Sequence, residues 1–333
     1  AASDVYKRQT PFRSIDDPEQ SRAAETALKD ILTLLRTRSG HDFKHYKRAT
    51  VLRRIERRMQ VNRLGDLPAY RAFLQNTPEE ARHLLADMLI GVTNFFRDRE
   101  AFEALEREII PRVFDMPESA DTPVRVWSAG CSSGEEAYSL AILLAEYVEY
   151  RESDRQFQVF ATDIDEHAIA IGRSGAYPEA ILTDITPQRL RQYVTKEQTG
   201  YRVKKEIRER VLFAMHNLLR DPPFSKLHLI SCRNLLIYLD REVQADILQM
   251  FHFALAPGGY LFLGSAESAD VCLELFTPVD KKNRIYRARP GAVMGRPASP
   301  LPLIALADTP QASSERPAER RRISFADLHQ RVL

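Results

Sequence analysis

Cysteine is scarce. The chain has three in 333 residues, Cys131, Cys232 and Cys272, far apart in sequence. Such spacing makes no disulfide framework, and no Cys-x-x-Cys pair points to zinc. A reducing, cytoplasmic setting fits. An excess of one charge sign is also missing. Lys and Arg number 48 and Asp and Glu 46, for a formal charge of +2. Whole-chain charge therefore argues for neither nucleic acid nor a membrane surface as partner. No apolar run reaches about 18 residues, so no membrane-spanning helix is expected. The N-terminus lacks the basic-then-apolar pattern of a signal peptide, and no internal repeat is found. His41 and His45 stand four residues apart with no third ligand in view. They read as ordinary polar residues, and no metal site is expected.

What is present is core material, 44% hydrophobic residues, in a chain long enough for two domains. The chain opens without Met, and Ala1–Gln9 resembles adapter-derived read-through. Residues 1–16 are expected to be an artefact or a disordered leader. Residues 17–115 read as a helical domain. Asp17-Pro18-Glu19-Gln20 is a cap signature ahead of an apolar stripe of Ala27, Leu28, Ile31, Leu32, Leu34 and Leu35. Thr77-Pro78-Glu79-Glu80 opens a second such helix with Leu84, Leu85, Met88 and Leu89, and Phe102, Leu105, Ile109 and Ile110 mark a third. A polar linker follows over 115–122. From 123 to 288 short apolar runs alternate with helices: Val124–Trp127, Gln158–Thr162, Val211–Met215, Leu227–Ser231 and Tyr260–Leu263. Helices are expected near 135–150 and 240–255, with Pro257-Gly258-Gly259 turning into the last strand. The alternation predicts an α/β domain with a parallel sheet covered on both faces. Residues 289–320 read as a Pro/Ala/Ser-rich flexible linker, and 321–333 as the start of a further segment, with Ser324 to Asp327 able to cap a helix.

The most informative stretch is Val126-Trp127-Ser128-Ala129-Gly130-Cys131-Ser132-Ser133-Gly134-Glu135-Glu136. A strand ends in a loop with two glycines, and the loop opens a helix, where ligands of open α/β sheets bind. It is neither of the phosphate-cradling glycine motifs. Acidic residues at its end suit a ligand carrying an amino group or a sulfonium; the alternative is a pair of capping boxes. Asp163, ending the second strand, suits a ribose diol, because one carboxylate can accept from two vicinal hydroxyls. Asp165 better fits a helix cap. Asn217 and Asn234 each follow a strand and can read a ligand by hydrogen bonds, or serve as turn residues. Cys131 has no nearby His and reads as a small loop residue.

Five stretches in order resemble the CheR family of chemotaxis methyltransferases. They are Thr93-Asn94-Phe95-Phe96-Arg97-Asp98, Trp127 to Glu136, Ala161-Thr162-Asp163-Ile164-Asp165, Ser231-Cys232-Arg233-Asn234-Leu235-Leu236-Ile237-Tyr238-Leu239-Asp240 and Pro257 to Gly264. The resemblance spans about 25–288. It implies a small all-helical domain followed by a Rossmann-like class I methyltransferase domain, with S-adenosylmethionine as methyl donor and S-adenosylhomocysteine as product. The implied acceptors are glutamates on chemoreceptor cytoplasmic helices. It further implies that Thr93 and Arg97 reach over the cofactor from the helical domain, that Gly130 lies in the cofactor loop and that Glu135 holds the methionine amino end. Asp163 would bind the ribose. Asn217 and Leu218, with Asn234 and Leu235, would line the adenine and methionine portions, and Tyr238 would sit near the sulfonium. Arg97 and Tyr238 are the implied catalytic residues. Relatives that bind a receptor C-terminal pentapeptide carry a small β-subdomain; here Arg191–Arg210 reads as too short for one, which argues against a tether. The stretch Gly91 to Phe96 and the Pro-rich tail resemble fusions with CheB-like and PAS-like signalling domains.

Methyl transfer to a carboxylate needs no general base, so positioning two groups in line supplies most of the catalysis. Arg97 is expected to clamp the acceptor carboxylate unless it merely pairs with Asp98 or Glu100. In the segment Lys44–Arg63, Val51, Leu52, Ile55 and Met59 form an apolar stripe, with Arg53, Arg54, Arg57 and Arg58 outside it. A basic face suits a glutamate-rich receptor helix. Aromatics are not interleaved there, against single-stranded nucleic acid. Two other readings are a cofactor-binding regulatory module without turnover and a methyltransferase with another acceptor. Asp221-Pro222-Pro223-Phe224 looks like a nucleic-acid methylase motif but reads as a turn.

Overall fold

Proline and a short polar cap coincide at two helix starts of the helical part, Asp66-Leu67-Pro68 and Thr77-Pro78. The structure, a computed structural model, describes residues 18–89, 91–116 and 122–291. The helical part contains α1 (Pro18–Ser39), α2 (Arg48–Val61), α3 (Leu67–Asn76) and α4 (Pro78–Met88). At α3 the Asp66 carboxylate accepts the Ala69 N–H at 2.8 Å, with Pro68 in the first turn. At α4 Thr77 stands at the cap position but makes no side-chain cap bond. The expected Asp17 cap of α1 lies outside the described residues, as do the leader and everything beyond 291. Ile31, Leu35, Phe43, Val51, Ile55, Tyr70, Leu74 and Leu84 make the core of this part.

Arg58 departs from the expected basic face. It turns back into the helical part, where both of its nitrogens Nε and Nη2 donate to Glu80, at 2.8 and 2.7 Å. Glu80 also accepts from Tyr70 OH at 2.8 Å and Asn62 Nδ2 at 3.2 Å. Helical spacing puts Arg58 off the apolar stripe, but a buried carboxylate on a neighbouring helix captures it. Of the four arginines expected on that face, Arg53 and Arg57 stay exposed and Arg54 is half-buried.

The helix expected around 102–110 runs as α5 (Arg99–Ala104), a wider π turn (Leu105–Ile109) and α6 (Ile110–Phe114). The second domain then follows with β1 (Val124–Ala129), α7 (Glu135–Arg151), β2 (Phe157–Asp163), α8 (Glu166–Ser174), β3 (Ala176–Tyr177), α9 (Pro187–Tyr193), β4 (Val194–Glu197), β5 (Gly200–Val203) and α10 (Lys205–Arg208). It ends with β6 (Val211–Met215), β7 (Leu227–Cys232), α11 (Arg241–Ala254), β8 (Leu255–Leu263), β9 (Phe276–Asp280) and β10 (Ile285–Ala288). Among the described residues the large sheet has seven strands in the order β6-β2-β1-β7-β8-β10-β9. The first five are mutually parallel, and β10 runs antiparallel to both β8 and β9. The parallel expectation therefore holds for the half that carries the site and fails at the far edge. Pro257-Gly258-Gly259 lies inside β8 rather than before it, where the pairing with β7 shifts register. Gly259 is required there, since a Cβ would stand 3.0 Å from the carbonyl oxygens of both Ala256 and Leu227.

Alternation along the strands splits the core into two layers. Val124 and Val126 of β1, with Tyr260 and Phe262 of β8, join the α7 layer, whereas Trp127, Ala129, Leu261 and Leu263 join the α11 layer. Residues Ala137 to Ala145 of α7 are buried without interruption. A helix enclosed on all sides shows no amphipathic stripe, as expected of one covered by the sheet and by further elements.

A second, three-stranded antiparallel sheet, β3-β5-β4, corrects the expectation for Arg191–Arg210. That segment supplies β4 and β5, and the third strand comes from two residues well upstream. A two-residue strand has no alternation to read, so the sheet is invisible in the pattern. Gly200 sits at φ 146°, and a Cβ there would lie 2.4 Å from the Tyr177 carbonyl oxygen.

Candidate active site

Four parallel strands, β6, β2, β1 and β7, end side by side, and their carboxyl-end loops form one wall of a cleft. Its lining includes Gly130 and Ser132 after β1, Asp163 to Asp165 after β2, His216 to Leu219 after β6, and Asn234, Leu235 and Tyr238 after β7. The helical part closes the other side with His41, Asp42, Phe43, Tyr46, Met88, Leu89 and Gly91. The space so enclosed, counting its open mouth, is about 970 Å³.

Backbone pairing fixes that closure. Lys47 N–H donates to Tyr238 O at 2.8 Å, and Asp240 N–H donates to His45 O at 2.9 Å. Lys47 Nζ also reaches Ile237 O at 2.8 Å. The helical part thus docks directly on the segment carrying Tyr238. Burial, then the nearby Asp163 and Tyr238, push the Tyr46 phenol up to about 12, so it stays protonated and able to donate at neutral pH.

Each loop is held by a specific device. Gly130 has φ 77°, and a Cβ there would stand 2.8 Å from Leu235 Cδ2, so only glycine lets the β1 and β7 loops approach. Asp163 Oδ2 accepts the Ser132 N–H at 2.8 Å and Oδ1 the Asp165 N–H at 3.0 Å. Each oxygen keeps a lone pair for a ligand hydroxyl. Burial outweighs these bonds and holds the Asp163 carboxyl above its ordinary value. Asp165 caps α8 through the His167 and Ala168 N–H groups, as its position suggested, while also lining the cleft. The Asn217 side-chain oxygen accepts the Leu219 N–H at 2.9 Å, so this residue builds the turn and lines the cleft at once. Asp221 to Phe224 continue that turn, with Asp221 accepting the Asn217 N–H at 2.7 Å. Asn234 has φ 60° and is held by Glu267, whose Oε2 accepts the N–H groups of Asn234 at 2.9 Å and Gly264 at 2.7 Å. Phe96, Asp98, Ser132 and Asn234 are all non-glycine residues with positive φ in these loops. Such positions cost of order 1–3 kcal/mol each and persist where surrounding contacts over-determine them.

Seven expected site residues therefore meet in one cleft: Gly130, Asp163, Asn217, Leu218, Asn234, Leu235 and Tyr238. Thr93, Arg97 and Glu135 lie outside its lining. Arg97 Nη1 donates to Val92 O at 2.8 Å, pairing with neither Asp98 nor Glu100. Those two carboxylates go instead to Arg233 and Lys282, each at 2.7 Å. Glu135 accepts from Ser133 Oγ at 2.8 Å, and burial, against that bond, raises its carboxyl. Tyr177 of the small sheet packs behind this loop, donating to Ser133 O at 2.7 Å with its ring edge-on to Phe95. Cys131 is buried, and desolvation, then Asp163 and Glu136, lift its thiol well above the ordinary value. That keeps it protonated and unreactive.

The sequence reading missed Ser132, His216 and the helical-domain lining. Ser132 and His216 were visible as immediate neighbours of residues singled out. The His41–Tyr46 contribution had no signal, because it depends on pairing across nearly 200 positions of chain. Among the described residues no group of three or more His, Cys, Asp or Glu is placed to hold a metal.

A cleft with an apolar floor of Leu218 and Leu235, a buried carboxylate with spare acceptor capacity and a further acidic side chain at Asp165 fits a nucleoside that carries positive charge. Comparison with known proteins agrees. Residues 91–285 match the family model described as "CheR methyltransferase, SAM binding domain", and 26–89 match "CheR methyltransferase, all-alpha domain". A 104.1 kDa protein of Rhodobacter capsulatus is 39% identical over 267 residues, covering 80% of this chain and 28% of that protein. Chemotaxis protein methyltransferase 1 of Pseudomonas aeruginosa is 32% identical over 253 residues, 74% of this chain and 90% of the relative. The chemotaxis protein methyltransferase of Borreliella burgdorferi is 28% identical over 247 residues, 72% and 87%. The chain thus spans about a quarter of the Rhodobacter relative and most of the other two. Matched in both parts and in order, it belongs to the CheR family of S-adenosylmethionine-dependent methyltransferases.

Proposed function

We propose that this chain methylates glutamate side chains of chemoreceptors in the cytoplasm, forming glutamyl methyl esters. The observation that carries this reading is a cofactor cleft closed by a helical domain whose α2 exposes Arg53 and Arg57. Relatives named chemotaxis protein methyltransferase, matched over most of their length, support it. When bound, S-adenosylmethionine supplies a methyl group already activated on sulfur. Asp163 accepts from the ribose hydroxyls, and Glu135 attracts the methionine ammonium. Leu218 and Leu235 cover the apolar portions, flanked by Asn217 and Asn234. Thr93 and Arg97 approach from the helical side. Arg97 spends one donor on Val92, and a guanidinium has five, so others remain to orient an acceptor carboxylate. Tyr238, in the cleft lining, would offer its ring or hydroxyl to the sulfonium end of the donor. CheB-like and PAS-like domains, fused or separate, belong to the same proposal, on the resemblance of the 91–96 stretch and the Pro-rich tail sequence.

The test is transfer of tritiated methyl from the donor to membranes carrying the host's chemoreceptors. Base-labile label on receptor bands is the expected result. Tight cofactor binding with no label would favour a regulatory module, and label only on another acceptor would replace the substrate. Arg97→Ala and Tyr238→Phe should each slow transfer, Arg97→Ala by about 100-fold as a lost positioning contact. If both variants turn over normally with normal cofactor affinity, the two roles are wrong. Transfer should also weaken steeply with salt, because the recognition surface on α2 is exposed charge. A flat response would remove α2 from recognition.

Acid should weaken the cofactor complex early. Asp163 and Glu135 both have carboxyls raised by burial. As pH falls they protonate sooner than ordinary carboxylates, and Glu135 loses its attraction for the methionine ammonium while Asp163 loses acceptor strength toward the ribose hydroxyls. The dissociation constant should therefore rise up to about tenfold per pH unit for each group titrated. Trp127, the single tryptophan, lies 5.4 Å from the ring of the cleft residue His216, so its fluorescence can report the titration. An affinity that stays level until ordinary carboxylates titrate would contradict this.

A further inference from the structure

Behind the cleft, outside its lining, runs a buried chain of charge. The Arg233 side chain is 2% exposed, and its Nη2 donates to Asp98 Oδ2 at 2.7 Å. Its Nη1 lies 3.7 Å from Glu136 Oε2. Glu136 in turn accepts from Ser128 Oγ at 2.9 Å and Ser231 Oγ at 2.7 Å. The guanidinium carbon lies 4.6 Å from the Phe262 ring centre and 5.1 Å from that of Phe102. One arginine therefore touches the 93–98 loop, the start of α7 and the end of β7. It also immediately precedes Asn234 and Leu235 of the cleft.

The 93–98 loop needs such a hold. Phe96 and Asp98 both sit at positive φ, 49° and 59°. On the far side Phe96 N–H donates to Ser139 Oγ at 2.9 Å, and Arg189 lies 4.6 Å from the Phe96 ring centre. On the near side Asp98 has Arg233. Arg97, between the two left-handed residues, points where these anchors leave it. A buried cation with one strong partner is a costly way to fasten a loop. An apolar residue would fill the space more cheaply, which suggests that the position of the loop itself is what the pair secures.

We infer that Arg233 is a positioning residue for methyl transfer: through Asp98 it holds the 93–98 loop so that Arg97 faces the acceptor. This rests on the reading of Arg97 above. Arg233 itself contacts neither donor nor acceptor.

The experiment compares Asp98→Asn, Arg233→Lys and their combination with the unaltered chain, using receptor membranes for transfer and calorimetry for cofactor binding. Asp98 is partly exposed, so its variant keeps the fold even if Arg233 variants do not. Asp98→Asn should lower kcat about tenfold and raise the cofactor Kd by clearly less than that, because Arg97 is misplaced toward the acceptor while Asp163 and Glu135 still hold the donor. Arg233→Lys should do at least as much, since an ammonium lacks the planar fork. The combined variant should be no worse than Arg233→Lys alone, because both act through one contact. A merely structural role would lower thermal stability and leave kcat per folded molecule unchanged. Unchanged kcat in Asp98→Asn, or multiplying effects in the combination, overturns the inference. Arg97→Ala separates the two levels. If it is impaired and Asp98→Asn is not, the inference alone fails; if Arg97→Ala is itself normal, the reading beneath it fails too.

Discussion

Replacing Asp163 by alanine is expected to weaken S-adenosylmethionine binding by about 100-fold, with the fold intact. A hydrogen bond to a charged group is worth roughly 1.5–3 kcal/mol, and two ribose hydroxyls share this carboxylate, so about 3 kcal/mol is a conservative loss. The same change removes the acceptors for the Ser132 and Asp165 N–H groups, at 2.8 and 3.0 Å. Ser132 sits at φ 49° and depends on that contact. Stability should fall by about 1–3 kcal/mol, because these N–H groups lose their acceptor while relief of the buried carboxylate offsets part of the loss. Asp163→Asn keeps the shape and one acceptor, and should fall between the two, at about tenfold. Calorimetric titration with the donor and with its product is the measurement. A dissociation constant for Asp163→Ala within about threefold of the unaltered chain would remove Asp163 from cofactor binding.

Glu80→Ala is expected to destabilise the helical domain by about 3 kcal/mol, the low end of the cost of breaking a buried pair, because Asp87 stays 3.9 Å from Arg58. Glu80 is 2% exposed, and its loss would leave Arg58, Tyr70 and Asn62 without their shared acceptor. A penalty of that size should lower the melting temperature by roughly 10 °C. Arg58→Met should do about as much damage, and changing both to leucine should recover part of it, since apolar packing can replace a buried pair. A melting temperature for Glu80→Ala within about 2 °C of the unaltered chain would show the network to be idle. The Glu80 carboxyl is shifted the opposite way to that of Asp163. Burial would raise the Glu80 carboxyl, but hydrogen bonds from Arg58 and Tyr70 outweigh it and hold it below 4.5. Its stabilisation is therefore complete above the ordinary glutamate value. It is lost only as pH falls below 4.5 toward the lowered one.

The two predictions differ in how readable their residues were. Asp163 was legible because an acidic residue ending a strand, next to a glycine loop in an α/β pattern, has a meaning that depends on local order alone. Gly130, Asn217 and Asn234 were legible for the same reason. Parallel strands in a doubly wound sheet bring their carboxyl ends together whatever else the chain does. Glu80 was not legible. Its position in the first turn of α4 looked like a cap residue, and nothing local shows that α2 brings Arg58 to it.

Composition, periodicity and ordered motifs determined by themselves the two-part architecture, the strand ends that build the cleft and the family. Acidic residues in the loop after β1 pointed toward a cationic ligand rather than a phosphate, with a pair of capping boxes as the other reading. Tertiary structure alone decided the rest. It closed the cleft with His41 to Tyr46 through backbone pairing to Tyr238 and Asp240. It also assembled a small sheet from a two-residue strand and a hairpin, and drew Arg58 and Arg233 into buried pairs. The reason is common to all of these. A strand end or a glycine turn is specified within a few residues, whereas an ion pair or a docking contact is specified only once distant segments occupy the same space.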